Sequence, residues 1–132
     1  MKVVAIDYGS ARTGVAVSDP SGTIARPLGV VERAASDTGL ERLAELIRSE
    51  AAERVVVGLP LTLRGEHGAQ ARETQAFVDA LRAAIDVPVE SFDERFTTGL
   101  AERVGSDDAP EDARAAAHLL SSYLEWSSAA RG

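Results

Sequence analysis

VVAIDYGSARTGVAVSDPSGTIARPLGVV, residues 3–31, is the stretch on which the fold turns. It opens with an apolar run, Val3–Asp7, that ends on a carboxylate and passes into Tyr8-Gly9-Ser10, the pattern of a buried strand entering a turn. Thr13–Ser18 reads as a second strand of alternating character. Asp19-Pro20-Ser21-Gly22 turns the chain back, because proline presets φ and glycine accepts a positive one. Thr23–Val31 returns as a third strand, broken by Pro27. Strands joined by such short turns form an antiparallel meander.

Beyond residue 31 the hydrophobic period lengthens to that of a helix. Between Ser36 and Ala52, Leu40, Leu43, Ala44 and Ile47 fall at helical spacing, and Ser36 or Asp37 can cap the start. Arg54-Val55-Val56-Val57-Gly58-Leu59-Pro60 is a short apolar strand of the kind buried on both faces. A polar, glycine-bearing loop, Leu61–Gly68, leads to a second helix with Phe77, Ala80, Leu81 and Ala84 as its stripe. Val87–Phe92 reads as a fifth strand with Pro88 near its start, and Thr97 or Thr98 caps a short helix to about Val104. The acidic stretch Ser106–Asp112 opens a final helix to Trp126, with Ala113, Ala116, Ala117, Leu120 and Leu124 on one stripe and a frayed tail beyond. The order βββ-α-β-α-β-α-α predicts an α/β fold. Its sheet is mixed and five-stranded, three antiparallel strands then two parallel, with helices on both faces.

A length of 132 residues gives room for one domain, 1–132, and a hydrophobic share of 45% excludes a disordered chain. No run of about 20 apolar residues is present, so no membrane helix or membrane partner is expected. Met1–Ile6 reads as a strand under way rather than a signal peptide. The absence of cysteine removes disulfides, thiolate catalysis and cysteine zinc sites, and fits a cytoplasmic location. Fourteen Lys+Arg against twenty-one Asp+Glu leave a net charge of −7, and Lys2 is the single lysine. That balance argues against a tight, salt-driven binder of duplex nucleic acid. It argues less against a nuclease, since arginine grips phosphate bidentately at a few chosen points.

Asp7 closes a hydrophobic strand, where a carboxylate is costly to bury unless it has a partner or a task. Gly9 beside it leaves room for a ligand to approach the backbone. Asp93-Glu94-Arg95-Phe96-Thr97-Thr98 reads equally as a reactive acidic turn and as a helix start capped by Thr97 with an exposed ion pair. Asp112, with Asp107, Asp108 and Glu111 around it, also suits simple compensation of the helix dipole. His67, in the glycine-bearing loop, is either a general acid or base or an ordinary exposed histidine. His118, mid-helix among alanines and leucines, reads as structural, and Tyr123 and Trp126 as packing for the last helix.

The stretches DYGSARTGVAVSD, VVVGLPLTLRGEHGAQARETQAFVDAL, VPVESFDERFTT and DARAAAHLLSSYLEW together resemble the four signature blocks of the YqgF/RuvX family, in order and over nearly the whole chain. The resemblance implies a ribonuclease H-like fold and a metal-dependent nuclease whose members carry the names pre-16S rRNA nuclease and Holliday junction resolvase. It implies Asp7, Glu94 and Asp112 as the catalytic carboxylates and the ligands of Mg²⁺ or Mn²⁺. Two such ions about 3.5–4 Å apart need oxygen donors converging from separate elements. Ala115 and Ala116, three and four residues past Asp112, would let the helix approach the sheet. Arg12, Arg64 and Arg95 are the candidates for phosphate contacts, each weighed against a solvated or ion-paired arginine. The helix start near Gly68 offers backbone N–H groups to a further phosphate.

In one respect the chain departs from the family pattern. The segment Gly105–Glu111 is short and acidic where the family usually has a longer one, often rich in lysine and arginine, which counts against carrying over any nucleic-acid contact the family makes through it. The expected substrate is the 5′ end of precursor 16S rRNA, with branched or single-stranded DNA in recombination and repair as the alternative. A homodimer is left open. Two other classes compete: an actin-like ATPase or sugar kinase, which needs two such domains, and a non-catalytic, ribosome-associated RNA-binding module, which suits the acidic charge.

Overall fold

The computed structural model describes residues 1–96 and 109–131. The meander is Val3–Asp7 (β1), Arg12–Ser18 (β2) and Ala25–Glu32 (β3). It is followed by Asp37–Ser49 (α1), Arg54–Leu59 (β4), Ala69–Ala84 (α2), Val89–Asp93 (β5), a 3₁₀ turn Glu94–Phe96, and Glu111–Arg131 (α3). The strands lie in the order β3-β2-β1-β4-β5. The pairs β1–β2 and β2–β3 are antiparallel, while β1–β4 and β4–β5 are parallel. This is the mixed sheet expected from the pattern, and no helix in it is long and apolar enough to cross a membrane among the described residues.

Pro27 does not break the third strand. Val15 faces Gly29 and Ala16 faces Pro27, so Leu28 is the extra residue of a β-bulge. β3 is an edge strand, where a missing N–H is tolerated. The short helix expected to end about Val104 lies outside the described residues. Ser36 rather than Asp37 caps α1, its Oγ accepting from the Gly39 N–H at 3.0 Å.

Period-two alternation assigns the two faces. Val4, Ile6, Val15, Val17, Val55 and Val57 meet Leu43, Ile47, Phe77, Val78 and Leu81 of α1 and α2. Val3, Ala5, Ala16, Val56 and Phe92 meet Ala116, Ala117, Leu120, Tyr123 and Leu124 of α3. Asp7, two residues beyond Ala5, therefore belongs to the face that α3 covers. The stripe of α2 differs from expectation: Phe77 and Leu81 are buried with Ala71, Thr74 and Val78, while Ala84 is exposed. Val78 and Phe77 bury more apolar area than the alanines, and they set the helix rotation. The stripe of α3 is as expected, but the helix continues past Trp126 to Arg131 instead of fraying there.

α3 comes so close to the sheet because both surfaces are low. Ala113, Ala116 and Ala117 are fully buried. On β2, a Cβ added at Gly14 would stand 1.8 Å from the carbonyl oxygen of Asp112. Glycine at this position thus fixes the depth and register at which the first turn of α3 meets the sheet.

Candidate active site

β1, β4 and β5 run parallel, so their C-terminal ends share one edge of the sheet. Asp7 is the last residue of β1, and Glu94 is the first residue after β5. β4 lies between them and presents Gly58 on the α3 face. A Cβ there would stand 2.7 Å from Oε1 of Glu94 and 3.0 Å from Cδ2 of Leu119. The bare backbone at Gly58 is the corridor through which the Glu94 side chain crosses β4 towards Asp7.

The two carboxyl groups lie within hydrogen-bonding reach of each other. They line an open cleft of about 230 Å³ with Ala115, His118 and Leu119 of α3. Burial raises the Asp7 pKa, and the charge of Asp112 raises it further. Glu94 is pushed up to about 7, first by burial and then by the neighbouring charge of Asp7. Two half-buried carboxylates in contact do not both ionise cheaply, and the pair retains a proton well above the usual carboxylate range.

Asp112 stands at the start of α3, within electrostatic reach of Asp7. Its Oδ2 pairs with Nε of Arg12 at 3.2 Å. Asp7 and Glu94 are therefore brought together, with Asp112 adjacent but engaged elsewhere. No three His, Asp or Glu side chains converge as a metal-holding group among the described residues.

The three arginines separate clearly. Arg12 is ion-paired yet two-thirds exposed. Arg95 grips Asp93 through Nε and Nη2, and its Nη1 donates to the Leu63 carbonyl at 3.4 Å. Gly65, at φ +79°, lies against the same guanidinium. Arg95 thus ties the β4–α2 loop to the end of β5, and holds Asp93 below the usual carboxylate range. Arg64 is exposed in that loop, as is His67.

Gly9 makes room for the chain itself and not for a ligand: a Cβ there would meet the Arg12 carbonyl oxygen at 2.4 Å. Gly68 is the N-cap of α2, with no side chain capping the helix. His118, read as structural, is half-buried and lines the cleft. Tyr123 is buried as expected. Trp126 is half-exposed and packs edge-to-face on Phe92 at 5.8 Å.

The family model described as "RuvX: Holliday junction resolvase" matches residues 1–126. The chain belongs to the RuvX family. A relative from Roseiflexus named "Putative pre-16S rRNA nuclease" is 46% identical over 116 residues, 86% of this chain and 82% of that one. A relative of the same name from Desulforudis audaxviator is 40% identical over 132 residues, covering 94% of each chain. Among solved structures, Thermus thermophilus RuvC in complex with a Holliday junction substrate superposes with a TM-score of 0.69 at 17% identity, covering 98% of this chain and 96% of that one. The fowlpox virus Holliday junction resolvase gives 0.55 at 11% identity, covering 96% and 99%. At these identities the likeness is one of fold, and the fold is the ribonuclease H-like one that the sequence blocks implied.

Proposed function

We propose that this RuvX-family chain is a metal-dependent nuclease that hydrolyses phosphodiester bonds, acting on the 5′ end of precursor 16S rRNA. The observation that carries the reading is the Asp7–Glu94 carboxyl pair, held at the sheet edge beneath α3 with Asp112 one short step away. The names of the full-length relatives support the RNA substrate. The description of the family model supports a second reading within the same chemistry, cleavage of branched DNA.

The donor set suits a hard divalent cation. Asp7, Glu94 and Asp112 offer carboxylate oxygens only, from three separate elements, and the proton retained by the Asp7–Glu94 pair marks a site where positive charge is favoured. These three residues would hold Mg²⁺ or Mn²⁺, with two ions expected. Bound there, the cations would make water nucleophilic at neutral pH and offset charge on the phosphate. The chain's own part is orientation. β1 fixes Asp7, bare Gly58 lets Glu94 lie across the sheet, and Gly14 sets the height of Asp112.

The test is a cleavage panel of precursor rRNA, a four-way DNA junction and single strands, with Mn²⁺ or Mg²⁺, on parent and Asp7→Asn proteins. The expected result is metal-dependent cutting of the precursor rRNA that Asp7→Asn abolishes, with the variant melting at or above the parent temperature. Cutting confined to the junction selects the second reading. Retained cutting by Asp7→Asn removes the mechanism altogether.

A further inference from the structure

Arg12 begins β2, and Gly14 follows two residues later on the same strand. Alternation puts both on the α3 face, so the residue beneath the Asp112 backbone and the residue paired with its side chain share one rigid strand. The backbone of Arg12 is itself held: its carbonyl packs on Gly9, and Thr13 Oγ1 closes the turn by donating to the Gly9 carbonyl at 3.2 Å. Both ends of the Arg12–Asp112 pair are thus anchored through main chain. Only the side chains are free to change partner, with the Arg12 side chain 67% and the Asp112 side chain 36% exposed.

Asp112 is close enough to Asp7 to raise its pKa, yet its carboxylate is turned to a guanidinium. A cation shared by all three carboxylates competes with Arg12 for Asp112, whose Oδ2 the guanidinium holds. The acceptor best able to take Arg12 in exchange is a phosphate, whose oxygens match the planar fork of the guanidinium. The geometry points to Arg12 as a positioning residue: it holds Asp112 aside until a substrate phosphate takes its place, so nucleic acid and divalent cation bind cooperatively. This rests on the nuclease reading and adds to it a stated partner for Arg12 and a coupling between the two ligands.

An exposed ion pair shifts an equilibrium by roughly 1.5- to fivefold, and the coupling is reciprocal by linkage. The experiment measures Mn²⁺ affinity of the full chain by titration calorimetry, with and without a phosphorothioate single-stranded oligonucleotide that resists cutting. In free protein, Arg12→Ala should bind Mn²⁺ roughly 1.5- to fivefold more tightly than the parent. The tightening of Mn²⁺ binding on adding the oligonucleotide should shrink by the same factor. Arg12→Lys should restore much of the parent coupling. Arg114→Ala removes one positive charge from an exposed position two residues from Asp112, and should leave the coupling intact.

Equal Mn²⁺ affinities for parent and Arg12→Ala, or an equal loss of coupling in Arg114→Ala, would overturn the exchange and reduce Arg12 to background charge. Weaker Mn²⁺ binding in Arg12→Ala would overturn it too, by making Arg12 a support of the site. A parent that cuts with Mn²⁺ and needs Asp7, but shows any of these results, loses the exchange and keeps the nuclease reading. A parent that neither cuts nor binds Mn²⁺ loses both.

Discussion

Replacing Glu94 with glutamine should stabilise the protein at alkaline pH when divalent ions are chelated. Glutamine copies the shape and hydrogen-bonding capacity of the protonated acid but cannot ionise. The parent carboxyl has its pKa moved from an ordinary 4.5 to about 7 by burial and by Asp7. Such a raised acid favours the protonated folded state, so the stability it contributes is complete below about pH 4.5 and is lost as the pH rises through about 7. At about 1.4 kcal/mol per pH unit the full difference is roughly 3 kcal/mol. Glu94 is only half-buried, and solvent screening reduces this to about 1–2 kcal/mol. The assay is urea unfolding in EDTA at several pH values between 4.5 and 8.5. Glu94→Gln should exceed the parent by about 1–2 kcal/mol at pH 8.5, with the gap closing towards the acid end. A constant gap at every pH, or a variant less stable than the parent at pH 8.5, would refute the charged-pair account. In cleavage assays with Mn²⁺ the same variant should be inactive.

Three other outcomes are expected. Mn²⁺ should raise the melting temperature of the parent, and an Asp7/Glu94/Asp112 triple alanine should lose that increment; equal increments in both would place the ions elsewhere. Gly14→Ala forces a methyl group against the Asp112 carbonyl, with backbone on both sides and nothing flexible to give. It should cost about 1–3 kcal/mol in unfolding experiments. By displacing Asp112 by the order of 1 Å it should slow cleavage roughly 100-fold, and a fully active variant would mean that α3 is not set by this contact. For single-strand binding by Asp7→Asn, Arg95 is already tied to Asp93, which leaves Arg12 and Arg64 as phosphate contacts. The slope of log affinity against log salt should therefore be about −1 to −2, and a slope steeper than about −6 would reveal a basic surface absent from this account.

Features governed by nearest neighbours were legible in the sequence. The meander follows from period-two alternation and from Asp19-Pro20-Ser21-Gly22, both local signals. The end of β1 at Asp7 follows from the apolar run Val3–Ile6 closing on a carboxylate. The face of α2 was less legible, because alanines at 80 and 84 carry little burial energy against Val78. Glu94 could not be told from a helix-start acid by local pattern, since its link to Asp7 runs through the β1–β4–β5 register. A signal was nevertheless present: Gly58 sits directly after Val55-Val56-Val57, where a fourth large residue would have filled the path that Glu94 takes. His118 read as structural, and its place beside the cleft follows from Ala115 and His118 lying three residues apart on α3, out of phase with the Ala113–Ala116–Leu120 stripe. The pairing of Arg95 with Asp93 depends on the 3₁₀ turn and leaves no trace in periodicity.

The acidic balance of the chain acquires a meaning once its arginines are located. Arg12, Arg54, Arg82 and Arg95 each face a carboxylate, at Asp112, Glu90, Asp79 and Asp93. Asp7, Glu94 and Asp112 gather acidic groups at the cleft, and their charge opposes the approach of a phosphate. Stronger binding through added lysines would not cure this, because the repulsion is centred on the reacting phosphate itself. On the proposed reading a divalent cation between the carboxylates would offset this charge, while Arg12, once released from Asp112, would meet the phosphate. Substrate affinity and cation affinity are then one linked quantity. Under that linkage a net charge of −7 is compatible with nuclease chemistry, since it weakens adventitious binding along the backbone while leaving the cation-loaded cleft as the place where phosphate is held.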